Sequence, residues 1–212
     1  MLKQYVQLDL RIVLIVIILV ECSYQWILQN HFITDQVVYQ SFITELTDEQ
    51  FAKGQQKANV LSWLFFLFTP ITVLFSVLAA AWCLNLGNLL LEKPNQFRTI
   101  FAITSRAYIV FSVARIVALI LYANYGIETV LDLQKVPTLS LYDLWPKDAI
   151  PQGLSYPMKL VNLYQLAFIL GLTIGFSDVT QTSVRQCFTF VLKTYGLGLF
   201  LWILLAVFLA NI

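Results

Sequence analysis

Two ionisable side chains of this sequence lie inside long apolar runs, Glu21 in LRIVLIVIILVECSYQWILQ and Arg115 in YIVFSVARIVALILYA. A carboxylate that titrates beside a guanidinium counter-ion is the equipment of a proton or solute relay. The same pair can equally do no more than fix the register of two helices. Either way an unpaired charge at such depth costs at least about 2.5–3.5 kcal/mol on insertion scales, so the two are expected to meet. Tyr108, Ser112, Arg115 and Tyr122 share one helical stripe by their spacing, which would put hydroxyls around the pair. A third run, PMKLVNLYQLAFILGLTIGF, brings the amides of Asn162 and Gln165, with Gln165 at a matching depth. Its Gly171 and Gly175 stand in GxxxG spacing, where backbones approach closely within a chain or between protomers.

Other chemistry finds no residues to carry it. His31 is the single histidine, and no HExxH or comparable set would hold a metal. Cys22, Cys83 and Cys187 are far apart and form neither a disulfide framework nor a CxxC pair, so they read as small buried hydrophobes. No GxSxG, P-loop or GxGxxG occurs. Asp178 reads as a turn cap or a partner of Arg185. The expectation is a protein that is not an enzyme and has neither metal nor cofactor.

The elements that must position these residues follow from composition. Of 212 residues, 59% are hydrophobic and only 12% charged, against about 25% in soluble domains. Mean hydropathy is +0.75. Too few charges remain to solvate a water-soluble globule, so the chain reads as integral to a membrane, in contact with the lipid bilayer. Its net charge of +1 offers no basic face to nucleic acid.

We expect an all-α membrane protein, a single transmembrane domain over residues 1–212 built as a bundle of five transmembrane helices. The spans are about 10–29, 58–91, 97–125, 157–176 and 188–209, with longer loops at 30–57 and 126–156. Lys3, Arg11 and the run 12–20 imitate a signal peptide, but Glu21-Cys22-Ser23 lacks the small residues of a cleavage site, so the first span is read as uncleaved. Val38, Phe42 and Leu46 recur every four residues, as in an interfacial amphipathic helix, and Thr47 with Gln50 fits a capping box. Pro70 should kink the second span, with Thr69 and Thr72 available to satisfy the backbone groups it frees. Glu92-Lys93-Pro94-Asn95 reads as a tight turn, and Trp26, Trp63, Trp145 and Trp202 as interface anchors. Lys3, Arg11, Lys93, Arg98 and Arg185 crowd the short connections, while Lys53, Lys57, Lys135 and Lys147 are spread over the long loops. Cationic density therefore puts the N-terminus in the cytoplasm and the C-terminus outside.

The order of FRTIFAITSRAYIVFSVARIVALI, then LSLYDLWP, then PMKLVNLYQLAFILGLTIGFSD, then VLKTYGLGLFLWILL resembles the Ypt-interacting-protein (Yip) domain membrane proteins, their bacterial members in particular. The likeness covers about residues 60–210. It implies five transmembrane helices, a cytoplasmic N-terminus, no enzymatic activity and a place in the bacterial cytoplasmic (inner) membrane. The eukaryotic branch recruits small GTPases through a cytosolic extension with a DLYGP-type motif. Here about ten residues precede the first span and no DLYGP occurs, so GTPase binding is not carried over. The expected function is that of a multi-pass accessory subunit that binds other membrane proteins or organises lipid. Its alternative is a small transporter or channel subunit using Glu21 and Arg115. Partners are other membrane proteins, and a homo-oligomer is left open.

Overall fold

The computed structural model describes residues 9–42, 48–92, 96–146 and 150–210. Leu46, the capping box at Thr47, the Lys93-Pro94-Asn95 turn, Lys3 and Lys147 lie outside the described residues. Among the described residues every regular element is helical, and the one extended pairing is an isolated antiparallel bridge between Ser140 and Asn162. Five helices are long and apolar enough to cross a membrane: Leu10–Phe32, Ser62–Leu90, Phe97–Tyr125, Leu163–Thr180 and Val184–Leu209.

In chain order, α1 (Leu10–Ile27) runs into a π-turn (Leu28–Phe32), and α2 (Asp35–Phe42) follows. Next come α3 (Asp48–Leu90), α4 (Phe97–Ala107), α5 (Ile109–Tyr125), α6 (Val130–Lys135) and a 3-10 turn (Leu141–Leu144). The chain closes with α7 (Gln152–Leu160), α8 (Leu163–Thr180), α9 (Val184–Val191), a second π-turn (Leu192–Gly196) and α10 (Leu197–Ala210). Helix is the form that satisfies every backbone polar group within its own segment, as an apolar surrounding demands. Four buried hydroxyls obey the same demand. Thr69, Thr104, Ser105 and Thr173 each donate to the carbonyl four residues back, at 2.7–2.9 Å. That is how polar residues sit in these helices without a partner elsewhere.

The contacts divide the chain into two units. Unit 1 comprises residues 1–15, 74–111 and 138–212, and unit 2 residues 16–73 and 112–137. The core of unit 1 is built by Ala81 and Leu84 of α3, Ile100 and Ile103 of α4, Phe168 and Leu172 of α8, and Val191 of α9. Here the GxxxG glycines meet α4 within the same chain. A methyl group on Gly171 would stand 3.3 Å from Ala107 Cβ, and one on Gly175 only 2.5 Å from Ile103 Cγ2. Two further glycines close the last helices onto α3. A methyl group on Gly198 would lie 2.7 Å from Cys83 Sγ, and one on Gly87 would coincide with the Thr194 side chain.

In unit 2, α2 and α6 are tied by one hydroxyl: Ser41 accepts from the Val130 N–H and donates to the Val37 carbonyl. Val37 is the buried residue of α2, whereas Val38, which the four-residue stripe singled out, is half-buried. Thr129 and Asp132 close a capping box on α6. Hydrogen bonds from Lys135 and then Thr129 hold the Asp132 carboxyl well below the usual carboxylate range. A group depressed in the folded state contributes stability above its unfolded pKa, and that contribution fades as pH falls through the folded one.

Several expected boundaries move. α3 is one helix of 43 residues and continues through Pro70. Thr69 and Thr72 donate to the Phe65 and Thr69 carbonyls, flanking Phe66, whose helical partner the proline removes. The fourth span does not start at Pro157. That residue belongs to α7, and the helix is interrupted at Val161 and Asn162 before α8 begins. α8 then runs past Phe176 to Thr180, because Gln181 takes a left-handed C-cap (φ 54°) and Ser183 caps α9 through the Gln186 N–H. The fifth span accordingly opens at Val184, before Phe188.

Candidate functional site

On α1, Val13, Ile17, Glu21 and Tyr24 are buried at steps of four, four and three, so one face of the helix carries the carboxylate inward. Glu21 is also the middle residue of the Leu10–Phe32 span. Arg115 reaches it from α5, and its Nε–H donates to Glu21 Oε2 at 3.0 Å. The contact is through one nitrogen and one oxygen. Glu21 Oε1 is buried with no hydrogen-bond partner among the described residues, and so is Ser112 Oγ, one turn before Arg115.

The two partners differ in surroundings. The Glu21 side chain is 5% exposed and that of Arg115 is 47% exposed. The guanidinium carbon also lies 5.0 Å from the centre of the Tyr24 ring, one turn along from Glu21. Such a cation–π contact is worth about 0.5–2 kcal/mol, with the larger value where water is excluded. The Tyr24 hydroxyl in turn interacts with Tyr122 and Arg115, and the Tyr122 ring meets Phe32 edge-on at 5.7 Å. Chemically this is a carboxylate fixed on α1 that holds a half-exposed cation on α5.

Three residues expected here, Gln165, Asn162 and Tyr108, belong to unit 1. Gln165 donates to the Tyr195 hydroxyl at 2.6 Å, inside unit 1. Asn162 is the N-cap of α8: its Oδ1 accepts from the Gln165 N–H at 2.8 Å, and its amide donates to the Lys159 carbonyl. An N-cap satisfies its own amide locally, so it needs no neighbouring helix. The Tyr108 ring lies 5.0 Å from Phe111 and 6.4 Å from Phe168, in the core of unit 1. The stripe that joined it to Arg115 assumed an unbroken helix. The chain tightens at Tyr108, where the Phe111 N–H bonds back only three residues.

Depth counting placed Gln165 level with the pair but carried no information about which way its helix face turned. Tyr24 and Tyr195 were the residues sequence reasoning missed. Tyr24 was legible, since it stands three residues from Glu21 on the same stripe. Tyr195 was hidden because it sits in a π-turn, where α-helical spacing does not apply. Pro70 is half-buried within α3. His31 lies edge-on to Trp26 at 6.1 Å. No family model, curated protein or solved structure matches the chain.

Proposed function

We propose that this chain is a non-enzymatic, multi-pass membrane protein that acts by binding another membrane protein, and that the α5 face around Arg115 is where the partner helix lies. The observation that carries the reading is the half-exposed guanidinium of a residue whose counter-ion is fully buried. Around it α5 exposes only apolar side chains, Val113, Ile116 and Ile120. A charged group exposed on an otherwise apolar helix face gives a neighbouring helix a polar contact that lipid does not offer. The resemblance to bacterial Yip domain proteins agrees with a role of this kind in an inner membrane, with the N-terminus cytoplasmic.

A photoreactive amino acid at Ile116 tests the reading in cells. A single discrete polypeptide adduct is expected, weakened by Arg115→Lys, which retains the charge but loses the planar fork. Adducts to lipid alone would sink it.

A second reading rests on the unpartnered Glu21 Oε1 and Ser112 Oγ, buried polar atoms of the kind that line a proton or solute route. It requires proton-coupled flux in vesicles containing the purified protein, and that flux should vanish in Glu21→Gln. Flux at the level of empty vesicles, or equal in the variant, removes the relay.

A further inference from the structure

The chain between α6 and α8 is not arranged like a loop in water. Its polar groups are turned on one another. One carboxylate oxygen of Asp143 accepts from the backbone N–H groups of Thr138 and Ser140, at 2.8 and 2.9 Å, and from both of their hydroxyls. The Lys159 ammonium stands 4.6 Å over the Tyr142 ring. Among the described residues large apolar side chains face outward: Leu144 is 78% exposed and Trp145 58%, with Leu141, Leu154 and Val161 also exposed.

The level of this segment can be read against α10. Tyr156 of α7 accepts a hydrogen bond from Trp202 Nε1 at 3.4 Å, and α7 lies along α10. Beyond Trp202, α10 continues through Ile203–Ala210, all apolar, for about 12 Å at 1.5 Å per residue. The hydrocarbon boundary therefore lies beyond Trp202, and Tyr156 lies inside it. Residues Gln152 to Thr180, taken through the interruption, then make one broken span as long as Ser62–Leu90.

That interruption is sealed. The Leu141 N–H donates to the Val161 carbonyl at 2.9 Å, and the Leu163 N–H to the Leu139 carbonyl at 3.0 Å. Irregular backbone at membrane depth is tolerated only where other groups satisfy it, and residues 139–141 do so. To reach Val161 and Leu163 they must descend past the whole of α7.

We infer that residues 139–146 and 150–161 form a re-entrant segment immersed in lipid, in the leaflet where α10 ends. The 3-10 turn seals the broken fourth span, and Leu144 and Trp145 face acyl chains. The inference rests on the five apolar helices being membrane spans.

The unmodified protein in vesicles doped with a phospholipid carrying a diazirine on its acyl chain provides the test. After irradiation, peptide mapping should find adducts on 141–161 at a yield per residue comparable to that on 197–209. Adducts on 197–209 with none on 141–161 overturn the re-entrant segment and leave the spans intact. Adducts on neither overturn both.

Discussion

Arg115→Leu is expected to destabilise the protein by about 3–5 kcal/mol, the range for breaking a buried pair and leaving one charge behind. The charge left behind is Glu21, whose side chain is 5% exposed and has no other hydrogen-bond partner among the described residues. Glu21→Leu should cost distinctly less. The guanidinium it strands is 47% exposed, keeps the Tyr24 ring at 5.0 Å and can extend toward a polar boundary. The double variant Glu21→Leu/Arg115→Leu should recover most of the loss, because replacing a whole buried pair by apolar groups is often neutral. Thermal unfolding of the four proteins in one detergent reads the order directly. If the double variant is no more stable than Arg115→Leu, or if each single change is as mild as the double, the pair is not what holds α1 to α5. A stable double variant that has lost its partner adduct at Ile116 would separate the pair's part in folding from its part in recognition.

Gly87→Ala comes second in size. The new methyl group would overlap Thr194 Cγ2 and stand 3.2 Å from Phe190 Cε2, so the Thr194 side chain must shift. Overpacking of this kind costs about 1–3 kcal/mol, occasionally more. Thr194→Ser removes the methyl that the alanine would strike, while its hydroxyl can still donate to the Phe190 carbonyl as Thr194 does. In that background Gly87→Ala should be substantially milder. Equal cost in both backgrounds, measured as a shift in unfolding midpoint, would place the penalty in the backbone of α3 instead of at this contact.

The five long apolar helices were legible because length and hydropathy alone decide them, with no tertiary information needed. The Glu21–Arg115 contact was legible for a related reason. Two charges in hydrocarbon have few partners, and counting residues along two helices brings them to one level. For Gln165 the counting does not tell which way the side chain faces, since depth fixes only position along a helix axis, and its amide bonds Tyr195 inside unit 1. Asn162 was misread because an amide that caps a helix and an amide that bridges two helices look alike in a string of letters. Only the break at Val161 tells them apart. The loop 126–156 carries four acids and three prolines. Asp143 and Asp132 are consumed in caps, which leaves leucines and a tryptophan outermost.

The π-turn at Leu192–Gly196 carries one residue more than an α-helix would need there. Deleting a residue within an ordinary helical stretch rotates everything after it by about 100°, the angle between neighbours at 3.6 residues per turn. A deletion on either side of the turn would therefore swing Gly198 off Cys83, or Val191 out of the core. Removing the surplus residue, Lys193 for instance, lets the turn relax to α geometry while both flanks keep their phase. Elsewhere in this helix the spelling of the sequence can drift only by substitution. Here it can also change in length.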